Sequence, residues 1–368
     1  LFLIRIGLPS RHWWPDATEA GQGIQVLESM GAGGAVQPIR VLIEVPQGEE
    51  ATSATRLRGI RNLGDSIAAD PRVGRTLSLM TAKPGASLLE YSVLYSDREQ
   101  ARRDLGDFLD GYLSRDGRVT LIDVIPSDTT SLTTTMNLVR DIRARTTGNI
   151  RGLKGATITV GGYVASAIDF QDDLIQRFPM LVLLILGVTA VMLAVAFRSV
   201  LVPIKAIIMN TLSVSATFGI SVLVFQYGIG ASLFGLDGPT SAIYVVVPVL
   251  VFAIVFGLSM DYEVFLLSRI KEAYDRTGRN DEATMEGLSA TASVITSAAL
   301  IMILVFGAFA FARVLMVQFL GFGLAVAVLL DATLIRMILV PAFMHLAGRW
   351  NWWPGGRTAE QRGARTED

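Results

Sequence analysis

GLSMDYEVFLLSR, residues 257–269, is the tail of a strongly apolar run, and it sets an acid, Asp261, where the hydrocarbon core of a membrane should lie. The run itself, 243–267, is one of five; the others are 180–197, 201–225, 289–311 and 315–342. Each comes close to the ~20 apolar residues that cross a bilayer as a helix, so the chain reads as an α-helical membrane protein with five spans. Hydrophobic residues make up 51% of its 368 positions and concentrate there, whereas the sequence before Phe178 is patterned like a water-facing domain. The opening LFLIRIGLPS is read as the end of a truncated sixth helix, because a secretory signal would show a basic start and a small-residue cleavage site.

Lys and Arg in the short loops set the orientation. Arg198 and Lys205 are assigned between the first and second spans, and Arg269, Lys271, Arg276 and Arg279 between the third and fourth. Arg349, Arg357, Arg362 and Arg365 follow the last, and all these segments are expected on the cytoplasmic side. Residues 226–242 carry no Lys or Arg and the turn near Ala312 has only Arg313, which places the polar region before Phe178 outside. Four segments result: 1–9, the helix end; 10–178, an external domain; 179–346, five transmembrane helices; and 347–368, a cytoplasmic tail. The absence of cysteine leaves the exported part without disulfides, and with only two histidines there is no zinc or iron cluster to assemble. A net charge of −1 speaks against a nucleic-acid partner.

In the external segment, PIRVLIEVP (38–46) alternates as a strand does, and 54–70 has helical spacing at Leu57, Ile60, Leu63 and Ile67. Residues 73–81, 119–126 and 156–162 read as further strands and 132–145 as a helix, giving the order β, α, β, β, α, β of a ferredoxin-like split βαβ sheet. Between the second and third strands lies an insertion, 87–113; its latter half is helical by Leu105, Phe108, Leu109 and Tyr112, while SLLEYSVLYS fits strand or helix. His12 and His345 fall on opposite sides of the membrane, so a serine nucleophile has no partner. GAGG (31–34) precedes a strand and does not join a strand to a helix, which fits a flexible connection and not a phosphate loop. The domain is read as a binding or conduit module and not as an enzyme.

Asp261 lies about eight residues, ~12 Å of helix rise, before Arg269, well inside an apolar layer ~30 Å thick. At about +2.5 to +3.5 kcal/mol on insertion scales, such an acid is kept for a partner or a task. Helix gluing is one use; proton handling is preferred, because intramembrane acids mark ion and proton paths. Adjacent helix positions point about 100° apart, so Tyr262 offers its phenol to a neighbouring helix and not to Asp261. Glu263, on another face, is left between an interfacial cap and a helper. Asp331, with Arg336 five residues on, is read as a local ion pair at the interface. Ser289, Ser293 and Ser297, with Thr296 beside them, form a hydroxyl stripe suited to close helix packing or to lining a proton or water path. Trp13, Trp14, Trp350, Trp352 and Trp353 are expected to anchor the membrane interfaces.

In order and spacing, GLSMDYEVFLLSRIKEAY, FRSVLVPIKAIIMN, DATLIRMILVPAFM and NWWP resemble the MMPL transporters (mycobacterial membrane protein large) of the RND superfamily, over nearly the whole chain. The resemblance implies the C-terminal half of an RND-type transporter: a truncated helix, an external α+β ferredoxin-like porter domain, and helices eight to twelve. It implies that Asp261 and Tyr262 form a proton relay with an equivalent pair on helix four; Glu263, Ser293, Ser297, Asp331 and Arg336 are taken as candidate supporting residues from their positions, as read above. It further implies export of lipids or other amphiphiles across an actinobacterial inner membrane, with protons as the coupling ion and no other cofactor. The implied partners are the missing N-terminal half, membrane lipids, further copies of the chain or accessory envelope proteins.

Three other classes are weighed against this. A lipid- or sterol-sensing member of the superfamily would bind without pumping, and a secretion helper would contact pre-proteins through the external domain. An intramembrane aspartyl protease would pair Asp261 with Asp331, but Arg336 near Asp331 argues against a shared proton.

Overall fold

The structure is a computed structural model that describes residues 4–7, 18–127, 132–148, 150–236, 238–240 and 242–355. His12, Trp13, Trp14 and the arginines from Arg357 onward lie outside the described residues. The chain forms two compact units, Leu8–Asp172, and Leu1–Gly7 with Asp173–Asp368.

The first unit runs α1 (Glu19–Ser29), β1 (Ile39–Glu44), α2 (Ala54–Ala68), β2 (Val73–Leu77), α3 (Leu88–Leu94), α4 (Arg98–Leu105), α5 (Asp107–Tyr112), β3 (Val119–Pro126), α6 (Leu132–Thr146) and β4 (Thr157–Gly161). The strands lie in the order β2-β3-β1-β4 with every neighbour antiparallel, as the βαββαβ reading requires. β1 turns Ile39, Val41 and Ile43 into the core and Arg40, Leu42 and Glu44 out, while α2 buries Leu57, Ile60, Leu63 and Ile67. The ambiguous stretch at 87–96 is helical because Ser87 and Glu90 form a capping box: Ser87 Oγ accepts from the Glu90 amide, and the Glu90 carboxylate accepts from the Ser87 amide at 2.6 Å. The helix expected through 97–113 is split in two at Gly106, whose φ of +51° no β-branched or bulky residue would adopt readily. The glycines at 33 and 34 correct the expectation of a flexible connection. Both are buried, and a Cβ on Gly34 would stand 2.1 Å from the Pro126 carbonyl oxygen, so the turn packs directly on β3.

A buried charge ties α2 to α6. Asp70, just past the end of α2, accepts from Arg72 Nε at 2.9 Å and from Arg72 Nη2 at 2.8 Å, and from Arg145 Nη2 at 2.9 Å. The Arg72 guanidinium above all, despite the opposing effect of burial, holds this carboxyl well below the usual carboxylate range. A carboxyl depressed in the folded state stabilises fully above its unfolded value near 4, and that contribution drains away as pH falls through the folded value. Wild type is therefore expected to exceed Asp70→Asn by about 2 kcal/mol at neutral pH, shrinking steadily below pH ~4. Melting of the two proteins side by side across pH checks it; a gap that stays constant in acid would contradict the assignment.

The second unit holds five helices long and apolar enough to cross a membrane. α7 (Tyr163–Phe197), α8 (Leu201–Ser221) with a π-helical turn (Val222–Gln226), α9 (Val246–Thr277) and α10 (Asn280–Phe309) are the first four. The fifth is composite: α11 (Leu315–Leu330), a π-helical stretch (Asp331–Leu339) and α12 (Val340–Ala347). Small residues let the helices close on each other. A Cβ on Gly287 would lie 2.9 Å from the Ile270 amide nitrogen of α9, and one on Gly321 would lie 2.7 Å from the Phe306 carbonyl oxygen of α10. Residues Ile4–Gly7, expected as the end of a helix, run extended: Gly7 N donates to Ile243 O and Ile243 N to Arg5 O, at 3.1 and 2.8 Å.

Of the three tryptophans after the last span, Trp350 and Trp353 are exposed, as anchors are, but Trp352 is completely buried. It stacks on Tyr274 with ring centroids 5.3 Å apart, donates from Nε1 to Asn280 Oδ1 at 3.2 Å, and has Lys271 Nζ 5.2 Å from its ring. Asn351 Nδ2 donates to the Met344 and Gly348 carbonyls at 2.8 Å, and Ser199 Oγ donates to the Asn351 carbonyl at 2.7 Å. Trp352 is thus a clasp joining the chain after α12 to the α9–α10 connection, because its large ring fills a site with a stacking partner and an acceptor for its N–H.

Candidate functional site

Three successive residues of α9 point about 100° apart and so meet three different settings. Asp261 faces out of the bundle and is exposed, with no hydrogen bond or ion pair to its carboxylate among the described residues. Tyr262 is half-buried: Oη donates to Met302 Sδ of α10 at 3.3 Å, and the Arg336 guanidinium carbon lies 5.1 Å from its ring centroid. Glu263 turns inward and is buried, its Oε1 3.6 Å from Lys205 Nζ of α8. Lys205, counted above as a loop cation, is in fact fully buried within the second span, and Glu263 is buried against it.

Asp331 opens the π-helical stretch and Arg336 lies within it; they pair at 3.2 Å. The ion pair is as expected, and both of its residues are buried among the helices. In an α-helix, positions five apart would point about 140° from each other. The i→i+5 bonding of a π-helix brings them to one face. Ser259 of α9 completes the cluster. Its Oγ lies 2.7 Å from Asn210 Oδ1 and 2.9 Å from Asp331 Oδ1, and its one proton can be given to either. Arg336 Nη2 also approaches the Ser259 carbonyl at 3.5 Å.

The hydroxyl stripe of α10 lies elsewhere. Ser289, Ser293, Thr296 and Ser297 are all on the exposed side of their helix, and Ser297 Oγ donates back to the Ser293 carbonyl at 2.7 Å. Thr291, on the opposite face, is buried. The residues that sequence reading missed are Lys205, Asn210 and Ser259. For Lys205 and Asn210 the available signal was a polar residue at every turn or so of the span that begins at Leu201.

Chemically, the three acids divide by counter-charge. Protonating Asp331 or Glu263 would strand Arg336 or Lys205 in the core, an unpaired buried charge. Asp261 can be neutralised without orphaning a cation among the described residues. Two acids placed as Asp261 and Asp331 are, one facing out and one tied to Ser259 and Arg336, do not form a shared-proton dyad.

A family model described as the MMPL family matches residues 13–366. The chain belongs to the MMPL family. This MMPL chain is 37% identical over 321 residues to the mycolic acid-containing lipids exporter MmpL11 of Mycolicibacterium smegmatis, an alignment covering 87% of the chain and 30% of that protein. It is 44% identical over 200 residues to the trehalose monomycolate exporter MmpL3 of Mycobacterium tuberculosis, covering 54% of the chain and 21% of the relative. It is also 44% identical over 199 residues to a protein of the same species named heme uptake protein MmpL11, covering 54% and 20%. The chain thus spans less than a third of the length of these relatives. Family and helices together make it a multi-pass inner-membrane protein of the RND type.

Proposed function

We propose that this chain is the C-terminal part of a transporter that uses the proton gradient to export lipids or other amphiphiles. The observation that carries the reading is Asp261, an acid exposed on an apolar span with no counter-charge among the described residues. In this reading a proton arriving from outside neutralises Asp261, its demand for a polar partner ends, and the helices repack. That partner would come from residues beyond this chain; the Tyr262 hydroxyl would leave Met302 Sδ to join it, with Ser293 and Ser297 available on the exposed side of α10. Asp331 and Arg336 hold Tyr262 in place through the guanidinium over its ring. One proton crossing 100 mV supplies about 2.3 kcal/mol, so a few per cycle match the removal of several methylenes from a bilayer at ~0.8 kcal/mol each. The names of two relatives, both lipid exporters, support the cargo class.

The relative named as a heme uptake protein favours a second reading, inward movement of an amphiphile. Flux measurement in vesicles containing the full-length protein separates the two. Outward movement of a labelled lipid, falling about tenfold or more when a protonophore collapses the gradient, is expected. Gradient-driven inward flux would select the second reading, and lipid binding with no flux in either direction would make the protein a sensor.

A further inference from the structure

The face of α8 that turns into the bundle is polar over most of its length. Lys205, Asn210, Ser213, Thr217 and Ser221 follow one another at intervals of five, three, four and four, and each is more than nine-tenths buried. They cover about 24 Å of helix rise, most of an apolar layer ~30 Å thick. A bond within its own helix accounts for Thr217, whose Oγ1 donates to the Ser213 carbonyl at 2.9 Å. It does not account for Ser213 Oγ or Glu263 Oε1, which are buried with no hydrogen-bond partner among the described residues. The Lys205 ammonium is equally ill-served: Glu263 Oε1 is 3.6 Å away, beyond hydrogen-bond range, and its other neighbour is the Met344 sulfur at 3.8 Å. A buried ion pair offsets its desolvation only when further hydrogen bonds complete its shell.

The rest of the seam is connected. Asn210 meets Ser259, and Ser259 meets Asp331, by the contacts given above. Cavities of ≈ 10 Å³ lie at two heights beside it, one bounded by Ser259, Asp331 and Arg336, the other by Ser221, Phe225 and Gly323. Each is about the size of one water, and the first offers such a molecule several polar partners in Ser259, Asp331 and Arg336.

We propose that the inner face of α8 is a water-binding seam, entered through the Lys205–Glu263 pair at the end of the bundle that carries Arg269 and Arg276, and reaching Asp331. Water supplies the hydrogen bonds that the ion pair, Ser213 and Glu263 lack. Glu263 points about 200° around α9 from Asp261, so this path is separate from the outward acid and stands whether or not Asp261 drives transport.

The chain has no cysteine, so one introduced thiol reports cleanly. Ser213→Cys places it in the seam; Leu212→Cys, half exposed on the outer side of α8, is the lipid-facing control. Each goes into the full-length protein, otherwise free of cysteine, in sided membrane vesicles. The probe is Ag⁺, small enough for a single-file water path, with unreacted thiol counted by maleimide after denaturation. Because the thiolate reacts and forms only where water reaches it, Ser213→Cys is expected to react about tenfold or more faster than Leu212→Cys, from the Arg269 side. Adding Lys205→Met with Glu263→Met should slow it about tenfold while the melting temperature holds or rises, since an apolar pair replaces an ill-solvated one. Equal rates at positions 212 and 213, entry from the opposite side alone, or a rate indifferent to the double change at unchanged melting temperature would each overturn the proposal.

Discussion

Asp261→Asn is expected to lower gradient-driven export about 100-fold or more, the scale on which removing a group that accepts and gives a proton acts. Membrane insertion should be unharmed. Asn has the shape of a protonated Asp and, being neutral, enters an apolar layer more readily than a carboxylate. Within the bundle nothing else is disturbed, because no described residue bonds to the Asp261 carboxylate. The same variant should keep its melting temperature, which separates a proton-handling acid from one that glues helices. Export under an imposed gradient, set beside protein abundance in the membrane fraction, reads both. Undiminished export would refute the relay, and a collapse in abundance would make Asp261 a structural residue.

Arg336→Met is expected to destabilise the bundle by about 3–5 kcal/mol, because it leaves the Asp331 carboxylate buried with Ser259 as its remaining donor. Combining it with Asp331→Leu should recover most of that loss, since a buried pair replaced by apolar residues of similar volume is often neutral or stabilising. Had the pair been exposed to water, either change would be worth only about 0–1 kcal/mol. Thermal unfolding in detergent of the two single variants and the double distinguishes these cases. A single-variant loss below about 1 kcal/mol would mean that water reaches the pair freely.

The five spans were legible because an apolar run of membrane length has few alternatives, and the order of the four strands followed from short-period alternation in segments such as PIRVLIEVP. Residues 87–96 were ambiguous because an apolar run that short carries both periods; the Ser87–Glu90 capping box decided it. Asp261 was legible as the chemically unusual residue. The counter-charge of Glu263 was not, because Lys205 is about sixty positions away in sequence and no local pattern marks a cation as bound for the core.

What the sequence determined by itself is local: hydropathy over ~20 residues, alternation along a strand, and the divergence of Asp261, Tyr262 and Glu263 around one helix. Only the tertiary structure decided which acid keeps a counter-charge. Glu263 has Lys205 because α8 packs on α9, and Asp331 has Arg336 because a π-helical stretch turns positions five apart onto one side. Asp261 is left facing out. The physical reason is that the cost of a buried charge depends on what lies within a few ångströms of it, and in a helical bundle those neighbours come from other helices or from a distorted turn, neither of which a one-dimensional pattern encodes.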